Sequence, residues 1–232
     1  MRMKKQILAG SMVFFSALAS YGQSYQDVLE NRKITVNHPD HTIVAYLKPV
    51  ISVSTESERT YTWFSGNQIR TTQGGYSGRL LNGLYEDFYL DKNLKERGYF
   101  DKGLKQGLWK SWNAEGVLRE EMTWDKGQKN GNYAKYSQAG VMQEKGVYKN
   151  GLRNGDYEKY TEAGVLAEKS TYKDDLLNGK QALFTGLKTA KGADSVKVVH
   201  YKNGKVVQPK SFFPKISTPG FIKKLFKKKA TK

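Results

Sequence analysis

The sequence predicts an all-β fold, an elongated open antiparallel β-meander built from hairpin repeats, and three observations predict it. Glycines in the steps Asn82-Gly83, Gln106-Gly107, Asn130-Gly131, Asn154-Gly155 and Asn178-Gly179 recur every 24 residues without a gap. Each unit holds two short runs rich in aromatic and aliphatic residues, separated by clusters of Gly, Asn and Asp. No apolar i, i+3, i+4, i+7 stripe runs through the units, and Gly recurs too often for helix.

At the N-terminus, Arg2, Lys4 and Lys5 precede an apolar stretch of 13 residues, Ile7 to Ala19. With the small-residue exit Ser20-Tyr21-Gly22, this predicts a secretory signal peptide over 1–22, cut before Gln23. A spanning helix would need about 20 apolar residues. The expectation is therefore export, to the periplasm, the outer-membrane periphery or the medium. Cysteine is absent, which removes disulfide staples, thiolate metal sites, Cys nucleophiles and a lipid-bearing N-terminal Cys. The net charge of +17 is uneven: the signal segment holds +3 and residues 208–232 hold eight Lys and no acid, leaving about +6 on 23–207.

Residues 23–58 do not repeat. His41–Leu47 and Val50–Ser54 read as strands that cap the array, with Pro49 as an edge or a break between them. Residues 59–82 form a degenerate unit, with Tyr61, Phe64 and Tyr76 at the expected offsets. Regular units follow over 83–178, and a terminal unit over 179–207 keeps Phe184 in place. Its turn at Tyr201-Lys202-Asn203-Gly204 comes five residues late, so an insertion is expected near Gly186–Asp194. Imperfect terminal copies are usual in repeat arrays.

Within the regular units, Tyr85, Trp109, Tyr133 and Tyr157 stand two residues after the repeat glycine, and Phe88, Trp112, Tyr136 and Tyr160 five after it. A Leu/Met-x-Glu step follows (Leu94/Glu96, Leu118/Glu120, Met142/Glu144, Leu166/Glu168), then Phe100, Trp124, Tyr148 or Tyr172, then a turn such as Lys102-Gly103 or Asn150-Gly151. The Asn-Gly pairs read as hairpin turns, since both residues tolerate positive φ. Gly116, Gly140 and Gly164 mark the turn inside each unit. Burying one such ring stabilises by about 1.5–3 kcal/mol, but a lone hairpin remains marginal, so units must stack. Offsets of two and five differ in parity. Either the sheet packs rings on both faces or a bulge intervenes. The candidate binding surface is Tyr85, Trp109, Trp112, Tyr133, Tyr136, Tyr157 and Tyr160, as core rings or as a ligand-stacking platform.

The pattern of aromatic, two residues, aromatic, Gly-containing turn, Leu-x-Glu, aromatic and Asx/Lys-Gly-x-x-Asn-Gly resembles the MORN-repeat variant of many bacterial proteins, often named YwqK-family antitoxins. Residues 83–207 match well and 59–82 weakly. The resemblance implies an open β-meander with a binding or scaffolding role and no catalytic residues. The antitoxin label describes a cytoplasmic context, whereas the signal segment points outward; an exported member would be an immunity or partner protein.

The tail over 208–232 ends in a basic amphipathic segment. Phe221, Ile222, Leu225 and Phe226 recur at helical spacing, with Lys223, Lys224, Lys227, Lys228 and Lys229 between and after them. It reads as a short helix on anionic lipid or an acidic partner, or as a solvated tail, since ten residues are short for a stable helix. Each Lys at an anionic surface contributes about 1 kcal/mol.

No chemistry-bearing motif stands out. His38-Pro39-Asp40-His41 has the composition of a metal site but lacks further ligands at a recognisable spacing, and His200 is alone. Glu96, Glu120, Glu144 and Glu168 form a row expected to pair with Lys such as Lys135 and Lys159. Four copies of an acid are not one catalytic pair in a cleft. The sequence thus predicts a non-enzymatic, cofactor-free binding or scaffold module of the bacterial envelope with a protein partner. The alternatives are an anionic-membrane binder or an immunity-type protein. Nucleic acid is a poor fit to an exported chain, and sheet edges allow self-association.

Overall fold

The computed structural model describes residues 32–49, 52–188 and 194–207, so the expected signal peptide and the basic tail lie outside it. The strands are β1 (Arg32–Asn37), β2 (His41–Leu47), β3 (Thr60–Ser65), β4 (Gln68–Gln73), β5 (Arg79–Tyr89), β6 (Leu94–Asp101), β7 (Leu104–Trp112), β8 (Leu118–Asp125), β9 (Gln128–Tyr136), β10 (Met142–Lys149), β11 (Leu152–Tyr160), β12 (Leu166–Lys173), β13 (Leu176–Leu177), β14 (Gly179–Lys188), β15 (Asp194–Lys202) and β16 (Lys205–Val206). No helix occurs among the described residues. The sheet is open and antiparallel, in the order β1-β2-β5-β6-β7-β8-β9-β10-β11-β12-β14-β15-β16. At about 4.8 Å per strand step, this thirteen-strand path spans roughly 58 Å.

Two kinds of turn build the meander. Inside a unit, Gly116, Gly140 and Gly164 take φ of 77–79°, and the side chains of Asn113, Ser137 and Thr161 accept the N–H groups of Val117, Val141 and Val165. Between units, Lys102-Gly103, Lys126-Gly127 and Asn150-Gly151 have positive φ at both residues, the two-residue geometry that matches the twist of the flanking strands.

The Asn-Gly steps are not turns, contrary to expectation. Gly83, Gly107, Gly131 and Gly155 lie inside β5, β7, β9 and β11 with φ between 71 and 125°. All four strands shift register there against the preceding strand of the sheet, between Ala45 and Leu47, Arg97 and Tyr99, Met122 and Trp124, and Gly146 and Tyr148. The step is a bulge. It turns a carbonyl and an amide side chain toward the next unit. The carbonyls of Leu81, Lys105 and Lys129 accept the N–H of Gly103, Gly127 and Gly151 at 2.7, 2.9 and 2.8 Å. Asn82 Oδ1 and Gln106 Oε1 accept the N–H of Lys102 and Lys126 at 3.0 and 2.8 Å. Each inter-unit turn is thereby fastened to the strand one unit back.

The head departs from the meander. The expected strand over 50–54 is not seen at its described residues, Ser52–Ser54; β2 instead pairs with β1 through the His38–Asp40 turn and then with β5. Residues 59–82 do form a hairpin, β3–β4, but β3 rather than β4 meets β5, and only at Trp63–Leu80 and Phe64–Arg79. Phe64 and Ile69 of this hairpin pack on Val36, Ile43, Leu47, Leu81 and Tyr85, while Tyr61 and Trp63 pack with Leu80, Val53 and Tyr76. The hairpin buries apolar residues on both sides, which explains why it leaves the plane of pairing. At the other end, the late turn of the terminal unit lengthens β14 and β15, whose register runs from Gly179↔Tyr201 to Lys188↔Asp194.

Candidate binding surfaces

Strand alternation divides the candidate aromatics between two faces. On the first face, Tyr85, Trp109, Tyr133 and Tyr157 are buried, at 9, 3, 4 and 8 % exposure. Across the strands this row runs Tyr133↔Gly146↔Tyr157↔Ser170, with Met122 opposite Trp109 and Gly98 opposite Tyr85. Large rings thus lie against small or flexible neighbours. A Cβ on Gly98 would overlap the Trp109 indole, and one on Gly146 would stand 2.8 Å from Tyr133 Cε1. Burial pushes the hydroxyls of Tyr85, Tyr133 and Tyr157 up in pKa. These four rings are core; Tyr85, Tyr133 and Tyr157 offer little surface to a ligand, whereas Trp109 borders a small hollow with its indole N–H unpartnered among the described residues.

The same face carries a column that sequence reading passed over: Lys105, Lys129 and Arg153, each two residues before a bulge glycine. Lys105 Nζ lies 3.8 Å from the Trp109 ring centroid and 5.3 Å from that of Trp124. Lys129 Nζ lies 5.1 Å from Tyr148, and Arg153 Cζ 4.2 Å from Tyr172. Such cation–π contacts contribute about 0.5–1 kcal/mol when exposed. The 24-residue recurrence of a cation at that offset was the available signal. The Glu row also faces this way. Glu96 pairs with Lys105 at 2.8 Å and Glu144 with Lys135 at 2.9 Å, Glu168 accepts from Ser170 and Gln181, and Lys159 stands in register between Glu144 and Glu168.

The second face holds Phe88, Trp112, Tyr136 and Tyr160, all half-buried. Both readings of the parity hold: rings occupy the two faces, and a bulge lies opposite each second ring. Phe88↔Leu94, Trp112↔Leu118, Tyr136↔Met142 and Tyr160↔Leu166 leave Lys95, Arg119, Gln143 and Ala167 unpaired. The bulge separates the Leu-x-Glu pair, sending Leu or Met to the second face and Glu to the first. Around the rings runs a charged network. Glu121 pairs with Lys110 at 2.7 Å and accepts from Tyr136; Glu158 accepts from Tyr160 at 2.6 Å and pairs with Lys145 and Lys169 at 2.9 and 3.0 Å. The Tyr160 hydrogen bond, followed by the two lysines, holds the Glu158 carboxyl down at about 2. The hydrogen bond from Lys110 lowers Glu121.

In register between Glu121 and Lys145 stands Ala134, where other units carry Lys110 or Glu158. The missing side chain helps open a shallow groove of about 690 Å³, walled by Tyr136, Val147, Glu121, Lys145 and Glu158, with Leu108 at 51 % exposure on its rim. Among the described residues no cluster of three or more His, Cys, Asp or Glu could hold a metal ion; His38 and His41 stack at 4.3 Å in the β1–β2 turn. The tail residues Phe221, Ile222, Leu225, Phe226 and the lysines 223, 224 and 227–229 lie outside the described residues.

No curated protein matches the chain. A family model described as MORN repeat variant matches residues 105–126 and 153–174. Each span starts two residues before a bulge glycine, covers one hairpin (β7–β8 or β11–β12) and ends in the next inter-unit turn, and residues 129–150 between them form the same unit. The chain thus carries MORN-variant repeats at 105–126 and 153–174.

Proposed function

We propose that this protein is an exported, non-enzymatic binding module of the bacterial envelope, and that it docks a protein partner on the second sheet face. MORN-variant repeats suggest a repeat-based binding role. The observation that carries the choice of face is the groove of about 690 Å³ over Ala134. There half-buried Tyr136 and exposed Leu108 adjoin the ionised Glu121, Lys145 and Glu158, the mixture of aromatic anchors and fixed charge found at protein interfaces. The first face keeps its rings in the core.

The test is a pull-down from envelope extract with the mature chain as bait. Retention of one protein at high salt, reduced at least about tenfold by Leu108→Asp or Tyr136→Ala and unchanged by Lys159→Ala on the other face, is the expected result. Retention indifferent to the second-face substitutions sinks this choice of face. The second reading, contact with an anionic membrane through residues 221–229, rests on the tail's eight lysines and its apolar spacing. Retention that needs residues 209–232 and vanishes in salt favours it.

A further inference from the structure

The first face is core along most of its length, but the array departs from its own period at one place. The four Trp of the chain are Trp63 in the head and Trp109, Trp112 and Trp124, and these three fall within a single 24-residue unit whose counterparts are Tyr or Phe. Two of the three line a hollow of about 270 Å³ on the first face.

Its lining is chemically mixed. Glu96 and Lys105 line it as an ion pair at 2.8 Å, which leaves the Glu120 carboxylate, the Lys129 ammonium group and the Ser111 hydroxyl, which can donate and accept, to meet a ligand. Lys110 also borders it, but its Nζ is committed to Glu121 at 2.7 Å. Formal charge in the hollow is therefore balanced, which favours neither an anion nor a cation. Trp109 is 3 % exposed, and its indole N–H meets no acceptor among the described residues. A buried donor left without a partner costs about 1–3 kcal/mol, so a ligand oxygen at this position relieves a standing penalty. Half-buried Trp124 and the Met122 side chain supply an apolar wall beside these polar groups. The equivalent ring two units on behaves differently: Tyr157 donates its hydroxyl to Glu144 at 3.1 Å and satisfies itself within the protein.

Balanced charge, donors and acceptors together, an unpartnered indole N–H and an aromatic wall match a neutral polyhydroxylated ring. We propose that this hollow is a saccharide subsite, holding one sugar ring of a glycan with its C–H face toward Trp124 and its hydroxyls shared among Glu120, Lys129, Ser111 and the Trp109 N–H. At about 270 Å³ it falls just below the range of ligand pockets, about 300 to 1,000 Å³, so recognition is of one ring, with any further rings in solvent. The site is independent of the protein-docking face, because it opens on the opposite side of the sheet.

The test is a titration of the full chain with neutral monosaccharides and short oligosaccharides of glucose and N-acetylglucosamine, followed by tryptophan fluorescence and calorimetry. Three of the four indoles belong to the proposed unit, so saturable quenching by at least one neutral sugar is expected. Trp109→Phe keeps a ring but loses the N–H and some core packing, so its melt should fall. Glu120→Gln changes a half-buried acceptor without removing bulk and should leave the melt near that of the parent. Each should weaken binding by at least about tenfold at a temperature where both are folded. Calorimetry without heat for every neutral sugar overturns the proposal. So does unchanged affinity in both variants, or binding restricted to sulfated or phosphorylated sugars, which would mark a charge-driven anion site.

Discussion

The head and the array use the same sheet in two ways. Around Leu81 the sheet is covered: the β3–β4 hairpin lays Phe64 and Ile69 over Val36, Ile43, Leu47 and Leu81, and the last two are 1 and 0 % exposed. From Met122 onward no second layer lies over it among the described residues, and burial is confined largely to the row Met122, Tyr133, Tyr157 and Ser170. What the array lacks in depth it replaces with nearest-neighbour fastening, the bulge carbonyl and amide gripping each following turn. A repeat stack whose units touch only their neighbours gains stability step by step. The head is the deeply buried end, and the array is held by contacts between neighbouring units.

The largest expected difference is in the price of truncation. Leu81→Ala should cost about 2–5 kcal/mol, as for fully buried Leu elsewhere, whereas Val147→Ala on the half-buried second face of β10 should cost about 1 kcal/mol or less; urea unfolding of each variant measures both. Next comes Gly98→Ala, whose new Cβ would overlap the Trp109 indole. Overpacking of this kind costs about 1–3 kcal/mol. Ser170→Ala, in the equivalent column but with only a hydroxyl to lose, should cost about 0.5–1.5 kcal/mol. Gln106→Ala removes the side-chain acceptor for the Lys126 N–H and should lower the melting temperature by an amount equivalent to about 0.5–1.5 kcal/mol, with faster amide exchange at Lys126 and Gly127.

Acid should act oppositely at the junction with the head and farther along the array. Glu158 in the array has its carboxyl lowered from the ordinary 4.5 to about 2, so its stabilisation is complete above about pH 4.5 and is lost as pH falls toward 2. Asp87, in the first unit of the array where β5 pairs with β2 of the head, is 5 % exposed and its pKa is raised, chiefly by burial. Protonation therefore favours the folded state there, and its contribution is lost as pH rises through the raised value. Glu158→Gln should flatten the acid loss, and Asp87→Asn should leave stability at neutral pH equal or higher. Denaturation midpoints of both variants at neutral and acid pH check the two signs.

The period made the array legible: Gly116, Gly140 and Gly164 sit at the intra-unit turns, and the second turn lies at Lys102-Gly103 and its copies, as their composition suggested. The Asn-Gly steps misled because the same positive-φ tolerance serves a bulge as well as a turn. Only pairing partners distinguish the two, and these belong to the neighbouring unit. The division of the seven candidate rings followed from parity, already visible as offsets of two and five, but which row is core depends on the small residues Gly98, Gly146 and Ser170 in the facing strands. The head was the least legible part. Tyr61, Phe64 and Tyr76 keep the period of the array, yet the hairpin that holds Tyr61 and Phe64 packs on the sheet face rather than extending the meander, a tertiary preference that a local pattern does not carry. Tyr76 lies in the connection to β5.

Native-state hydrogen exchange on the full chain tests the division between head and array most directly. The slowest amides should fall in β2 and in β5 around Leu81, with protection decreasing stepwise through β8–β12 toward β15. Uniform protection along the sheet, or slowest exchange in β9–β12, would contradict the account.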